Sequence, residues 1–202
     1  MRVFLSVLIL IFSLQCWTKA DDIRDFEIEG ISVGDSLLNF MTKDEIKSSI
    51  SDESKYPNKK FVIVDYKKYE NNNFDKLLIA IRANDLHFII HEVKAVLNLE
   101  NLTDCLIQRN EHVKIIKENF PKNTKIKRYE IKEKRDPTGE SLTNIVEFKL
   151  IDGEIGVWCD YYSDEFVELT KNDMSIPSIS HLAINAMDNE FLNWINTEAW
   201  ND

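Results

Sequence analysis

Glycine and proline are scarce in this 202-residue chain, at 5 and 4 residues. So few glycines leave no phosphate-cradling loop, and the nucleophile-elbow pattern G-x-S-x-G does not occur. The same scarcity argues against long flexible linkers. Cysteine is limited to 3 residues, and cations are outnumbered: 25 Lys and Arg stand against 35 Asp and Glu, a formal net charge of −10. A surface of that sign repels a phosphate backbone, so nucleic acid is not an expected partner. What is present suffices for a core, because 44% of the residues are hydrophobic and 10% aromatic. The length fits one domain or two small ones.

The first twenty residues have the form of a secretory signal peptide. Arg2 gives a positive start, and Val3 to Leu14 is an apolar run too short for a comfortable membrane span. Thr18-Lys19-Ala20 then supplies small residues for cleavage after Ala20. The expectation is a signal peptide at 1–20 and a single α+β domain at 21–202, periplasmic or secreted, with no membrane span after cleavage. An uncleaved anchor is the alternative. A lipoprotein would need a small residue before Cys16, where Gln15 stands. Cleavage would remove Arg2 and Lys19, leaving 23 cations against 35 acids, a charge of −12.

Cys16 would leave with the signal, and Cys105 and Cys159 would remain. An oxidising compartment favours a disulfide between them. It would close a loop of roughly 55 residues and contribute about 4 kcal/mol in the chain-entropy model. Two separate buried thiols are the alternative.

The chain is organised around 101–120. Leu102, Cys105, Leu106, Val113, Ile116 and Phe120 recur at steps of three, four and seven, which predicts a helix with one apolar side. Gln108, Arg109, Glu111, Lys114, Lys117 and Glu118 are assigned to the other side. Asn101 or Thr103 can cap it, and Pro121 closes it. Upstream, Asp35 is a candidate cap, and Thr42-Lys-Asp-Glu45 is a capping box. Phe61–Tyr66 predicts a strand, and Lys76–Ala83 with Leu86–Asn98 predicts a hairpin about Asn84-Asp85. Downstream, Thr124–Lys134, Ser141–Ile151 and Glu154–Tyr162 predict a meander, with turns at Asp136-Pro-Thr-Gly139 and Asp152-Gly153. Ile155, Val157, Cys159 and Tyr161 share a face that should look toward Cys105. Asp164–Asp173 reads as a loop or short turn, Ser178–Met187 as a further strand, and Asp188 as the cap of a terminal helix. Helix, three strands, helix, three strands could be a diverged repeat of about 80 residues, although the halves share no residue-level match.

Few groupings suggest chemistry. His91-Glu92 opens a zinc-protease motif that fails at Ala95. His87 and His91 would be about 13 Å apart in a strand, too far for one metal, and read as edge or surface histidines. Asp160, Asp164, Glu165 and Glu168 lie near Trp158, Tyr161 and Tyr162, and could be a calcium site or a carboxylate pair. No calcium-loop spacing is present, so a solvated acidic loop is the simpler reading. His112 lies two helical turns from Cys105 and could not activate its thiol. The basic interval Lys122–Arg135 reads as the solvated face of a strand. Phe191, Trp194 and Trp200 should dock the terminal helix on its own core. No catalytic, cofactor-binding or metal-ligating residue is assigned.

The strings WTKADDI and FEIEGISVGDSLLNFMTKDEI, the helix NLTDCLIQRNEHVKIIKENF and the ending FLNWINTEAW resemble a family of short exported proteins of Pelagibacter-type marine alphaproteobacteria. That resemblance implies an exported bacterial protein and carries no activity or site residues. The GDS…TKDEI start is also similar to small outer-membrane assembly lipoproteins, whose lipobox this chain lacks. The expected fold is therefore α+β, a mainly antiparallel sheet of about six strands with helices packed on one face. The expected function is a soluble exported binding or interaction module, without catalytic activity or cofactor, for an unknown protein or small molecule. The rivals are a small periplasmic hydrolase using Asp160 to Glu168 and an envelope-associated structural protein.

Overall fold

A computed structural model describes residues 22–51, 56–67, 73–170 and 180–201. The expected signal peptide and Cys16 lie outside the described residues. The chain enters through a 3-10 turn at Ile23–Asp25 and an antiparallel pair, β1 (Glu27–Ile28) and β2 (Ile31–Ser32). A second 3-10 turn, Leu37–Asn39, is capped by Ser36, whose hydroxyl accepts from the Leu38 N–H. Asp35, the expected cap, accepts instead from the Ser32 N–H at 3.2 Å. The capping box at Thr42 and Glu45 starts α1 (Lys43–Ser48) and buries Ile46.

Two meanders follow. The first is β3 (Phe61–Asp65), β4 (Lys76–Arg82) and β5 (Ile90–Leu99). Helix α2 (Leu102–Asn119) leads to the second: β6 (Lys125–Lys132), β7 (Leu142–Lys149) and β8 (Gly153–Tyr161). Asn101 caps α2 by accepting from the Asp104 N–H at 2.9 Å. Then come α3 (Asp164–Thr170), β9 (Ser180–Asp188) and α4 (Asn189–Thr197). The segment 164–170 is thus a helix where the sequence suggested a loop or short turn. Its start is explained by Ser163, whose hydroxyl accepts from the Phe166 N–H, and by Asp164 and Glu165 at the positive end of the helix dipole.

Seven strands form one antiparallel sheet in the order β3-β4-β5-β9-β8-β7-β6, one more than expected. The last strand lies in the middle, pairing with β5 on one side and β8 on the other. Two turns differ from expectation. Asp85 does not supply a positive φ in the β4–β5 connection. Its carboxylate accepts from the His87 and Ile89 N–H groups at 2.9 and 2.8 Å, and Phe88 takes φ 51°. Asp152-Gly153 is a common type I′ hairpin signal, yet neither residue has a positive φ, so the β7–β8 turn is not of that type. Gly153 is required for another reason: a Cβ there would lie 2.2 Å from the Met187 carbonyl. The Asp136–Gly139 turn forms as expected, with Gly139 at φ 70°.

The two sheet faces differ sharply. The row Val64, Ile79, Val93, Ala186, Ile155, Phe148, Ile126 crosses all seven strands and is apolar throughout. One residue along, on the opposite face, the row is Asp65, Leu78, Lys94, Asn185, Gly156, Glu147, Lys127. Helix α2 covers the apolar face, burying Cys105, Val113 and Ile116 against β8 and β9. Helix α4 packs on the other face, where Phe191 and Trp194 meet Phe61, Ala80 and Met187. Helices therefore lie on both faces, not one. The reason is legible in α4, whose apolar side has a place only where Ala80 and Met187 interrupt the polar rows.

Candidate functional site

The cysteines meet where strand and helix periods bring them together. Cys105 is the first buried residue of α2, and Cys159 shares the β8 face with Ile155 and Val157. Their sulfurs lie 2.04 Å apart, at disulfide distance, with Cα atoms separated by 5.8 Å. A bond at this distance would tie α2 to β8.

The acidic cluster does not converge. Asp160 is buried on the α4-bearing face, 2.8 Å from His181 Nε2, and accepts a hydrogen bond from the Thr143 hydroxyl. Burial pushes its carboxyl up, but the His181 and Thr143 hydrogen bonds outweigh this and hold it below the usual carboxylate range. Asp164, Glu165 and Glu168 are exposed on α3. Tyr162 lies 6.2 Å from His181, ring to ring. No group of three or more metal-ligating side chains occurs among the described residues.

His91 is buried, which corrects its reading as an edge or surface residue. Its Nδ1 lies 2.7 Å from Asp188, and its ring packs edge-on to Phe61. Asp188 also caps α4 through the Phe191 N–H, so one carboxylate ties β5 to the terminal helix. His87 sits in the β4–β5 loop, so the pair is not together. His112 is partly buried beside Phe74, and burial lowers its pKa. Phe191 and Trp194 are core residues as expected, whereas Trp200 is largely exposed and touches Tyr56. Glu92 entered the sequence reading only as part of the failed zinc-protease motif. It lies between Ala80 and Met187 on the α4-bearing face, and burial pushes its carboxyl up to about 7.

A concave site lies between the end of α2 and β6. A cavity of about 380 Å³ is floored by Phe120, Pro121, Ile126 and Phe148, with Lys117 and Lys122 at its rim. Arg128 is the next residue after Ile126 on the same side of β6. Arg109 lies on α2, outside the cavity lining, four residues after Cys105, four before Val113 and seven before Ile116. That spacing places it in the apolar stripe, not on the polar side to which the sequence reading assigned it. Its Nε is buried without a hydrogen-bond partner, and burial followed by the charge of Arg128 lowers its pKa. The spacing was the available signal; its residue type concealed it. The cations of the interval Lys122–Arg135 are all exposed, as expected of a solvated face, and Lys122 also lines the cavity.

No known protein-family model, no curated protein and no solved structure matches the chain. No helix among the described residues is long and apolar enough to cross a membrane.

Proposed function

We propose that the chain is an exported, soluble, non-catalytic binding module whose binding site is the groove between α2 and β6. The observation that carries this reading is the cavity of about 380 Å³ between α2 and β6, lined by Phe120, Pro121, Ile126 and Phe148 together with Lys117 and Lys122, on a protein with a net charge of −10. Export draws support from the signal-like N-terminus and from Cys105 and Cys159 at bridging distance, since such bonds persist in oxidising compartments. The resemblance to exported marine bacterial proteins points the same way.

A hydrolase built on Asp160 to Glu168 is the second reading, and the Asp160–His181 contact is the observation in its favour. It is weaker because Asp160 is buried while Asp164, Glu165 and Glu168 are exposed on α3, so the carboxylates stand apart. Native mass spectrometry of the chain after export through a bacterial periplasm tests both. Cleavage after Ala20, loss of two protons and a retained non-covalent ligand support the binding module. A ligand-free chain that hydrolyses ester or glycoside reporters, and ceases to do so with Asp160→Asn, would sink it.

A further inference from the structure

We infer that the open edge of β6 takes an acidic, extended peptide as an added strand, with one apolar side chain of that peptide seated in the cavity between the end of α2 and β6. This rests on the binding-module reading above and names the partner of that same site.

The backbone shows which groups the edge offers. One step beyond the registered pair Lys132–Leu142, the Glu133 N–H donates to the Ser141 carbonyl at 2.9 Å, so Glu133 bonds inward to β7. Inward-bonding residues alternate along an antiparallel pair, and the β6–β7 register is unbroken from Lys125 to Lys132. Lys125, Lys127, Tyr129 and Ile131 therefore bond β7, and the N–H and C=O groups of Ile126, Arg128, Glu130 and Lys132 point outward. The β7–β8 connection agrees: the Leu150 N–H donates to the Gly153 carbonyl, which by the same alternation turns Lys149, Glu147, Ile145 and Thr143 toward β6. No described residue pairs with the outward groups. They form a row of donors and acceptors onto which an extended peptide can add.

Charge selects the peptide. β6 carries Lys125, Lys127, Arg128 and Lys132 against one acid, Glu130, on a chain whose net charge is −10. None of the four cations forms an ion pair with a described residue. The acid of β7, Glu147, accepts instead from the Tyr129 hydroxyl and lies 3.5 Å from Lys149. By the period of two, Arg128 and Lys132 share the α2 side of the strand with Ile126, while Lys125 and Lys127 lie on the other side. An acidic strand thus meets a cation whichever way its side chains alternate. A second copy of β6 would set cations against cations, and like charges directly opposed are destabilising.

The cavity supplies the apolar anchor. Ile126 belongs to β6, points its backbone outward and lines the cavity with Phe120, Pro121 and Phe148. A residue directly across from Ile126 on an added strand shares its side of the pleat, so its side chain lies over the cavity. The volume of about 380 Å³ admits a leucine or phenylalanine side chain. Lys117 and Lys122 line the same cavity and carry the cationic field past the end of the strand. Edge and cavity are one surface, joined at Ile126.

Fluorescence anisotropy on the full exported chain tests this with labelled peptides as long as β6. The first alternates glutamate and threonine around one phenylalanine. The second has lysine for each glutamate, and the third has alanine for the phenylalanine. The first should bind one to one and weaken as salt rises, with the other two at least about tenfold weaker. Glu130→Pro removes an outward N–H together with the only acid of β6. Charge alone would then tighten the acidic peptide, whereas loss of the main-chain bond should weaken it by about tenfold or more. Proline is tolerated where the N–H of an edge strand faces solvent, so the variant should fold. Glu130→Gln, which keeps the N–H, should bind at least as tightly as the parent. Methylating alternate backbone nitrogens of the acidic peptide makes the same test without altering the chain. One of the two alternations should bind at least about tenfold more weakly than the other, because only one set of N–H groups faces β6. Equal binding of the lysine peptide, equal binding of the two methylated peptides, or full affinity in Glu130→Pro would overturn the inference. So would a dimer of the chain that excludes the peptide. Should every peptide fail while the exported chain carries a retained small molecule, the partner class falls and the binding module stands. Should the chain retain nothing and hydrolyse reporters, the module itself falls.

Discussion

The two ends of the sheet solve the same problem in opposite ways. At the β3 end, the outer backbone is paired: Ile50 bridges Val64, the Ser51 N–H donates to the Ile63 carbonyl at 2.8 Å, and the Asp65 N–H donates to Ser49 at 2.8 Å. Phe61 is fully buried there under Phe191 and Trp194. At the β6 end, no described residue pairs with the outer edge, and nearly every side chain is exposed. That strand reads KIKRYEIK, and lysines on an open edge discourage pairing with another copy. An edge covered by the chain's own loop can be apolar. An edge left open must be charged, and this charge stands beside the groove.

The largest test of the contrast is core truncation. Phe61→Ala should cost about 3–5 kcal/mol in chemical denaturation, whereas Ile131→Ala on β6 should stay within roughly 0.5 kcal/mol. Similar losses at both positions would erase the distinction between the ends. Next is the Cys105–Cys159 pair, at bridging distance between α2 and β8. Cys105→Ser should lower stability by about 4 kcal/mol under oxidising conditions and by little once the parent is reduced. An unchanged melting temperature in the oxidised state would mean that the 54-residue separation is not closed by a bond.

A third effect belongs to the β4–β5 region. Burial raises the folded Glu92 carboxyl from 4.5 to about 7. Between those values the folded state binds a proton that the unfolded chain has released, so the contribution is fully present below pH 4.5 and lost as pH rises through about 7. The parent should lose roughly 3 kcal/mol across that window relative to Glu92→Gln. Parallel pH profiles for the two proteins would refute this. The smallest effect concerns the open edge. Replacing Lys125, Lys127 and Lys132 together by threonine should leave the fold intact but produce concentration-dependent association, seen as a rising sedimentation coefficient. A variant that stays monomeric would show that those lysines do not guard the edge.

Much of the architecture was legible because local rules decide it. The Thr42–Glu45 box, the α2 stripe, the β6–β7–β8 meander and the Asp188 cap each follow from residues within one turn or one strand. The short helix at 164–170 was legible too, in Ser163 and the two acids after it, but the acidity of the segment obscured it. The candidate site was less so. Arg109 occupies a stripe position by spacing, yet its charge suggested solvent. His91 and His181 gave no sign of their partners Asp188 and Asp160, because those pairings cross strands that the sequence does not order.

By itself, then, the sequence determined the elements, the alternating faces, the acidic balance and the cysteine pair, because spacing and composition act over a few residues or over the whole chain. Only the tertiary structure decided that the last strand enters the middle of the sheet. Ser180–Met187 is a run buried on both faces, and such a run could pair with any open edge of matching length. It pairs with β5 and β8 because each meander leaves one strand unpaired there and α2 holds the two together from above. The same placement sets β6 at the far rim, where its open edge and the groove beside α2 arise together.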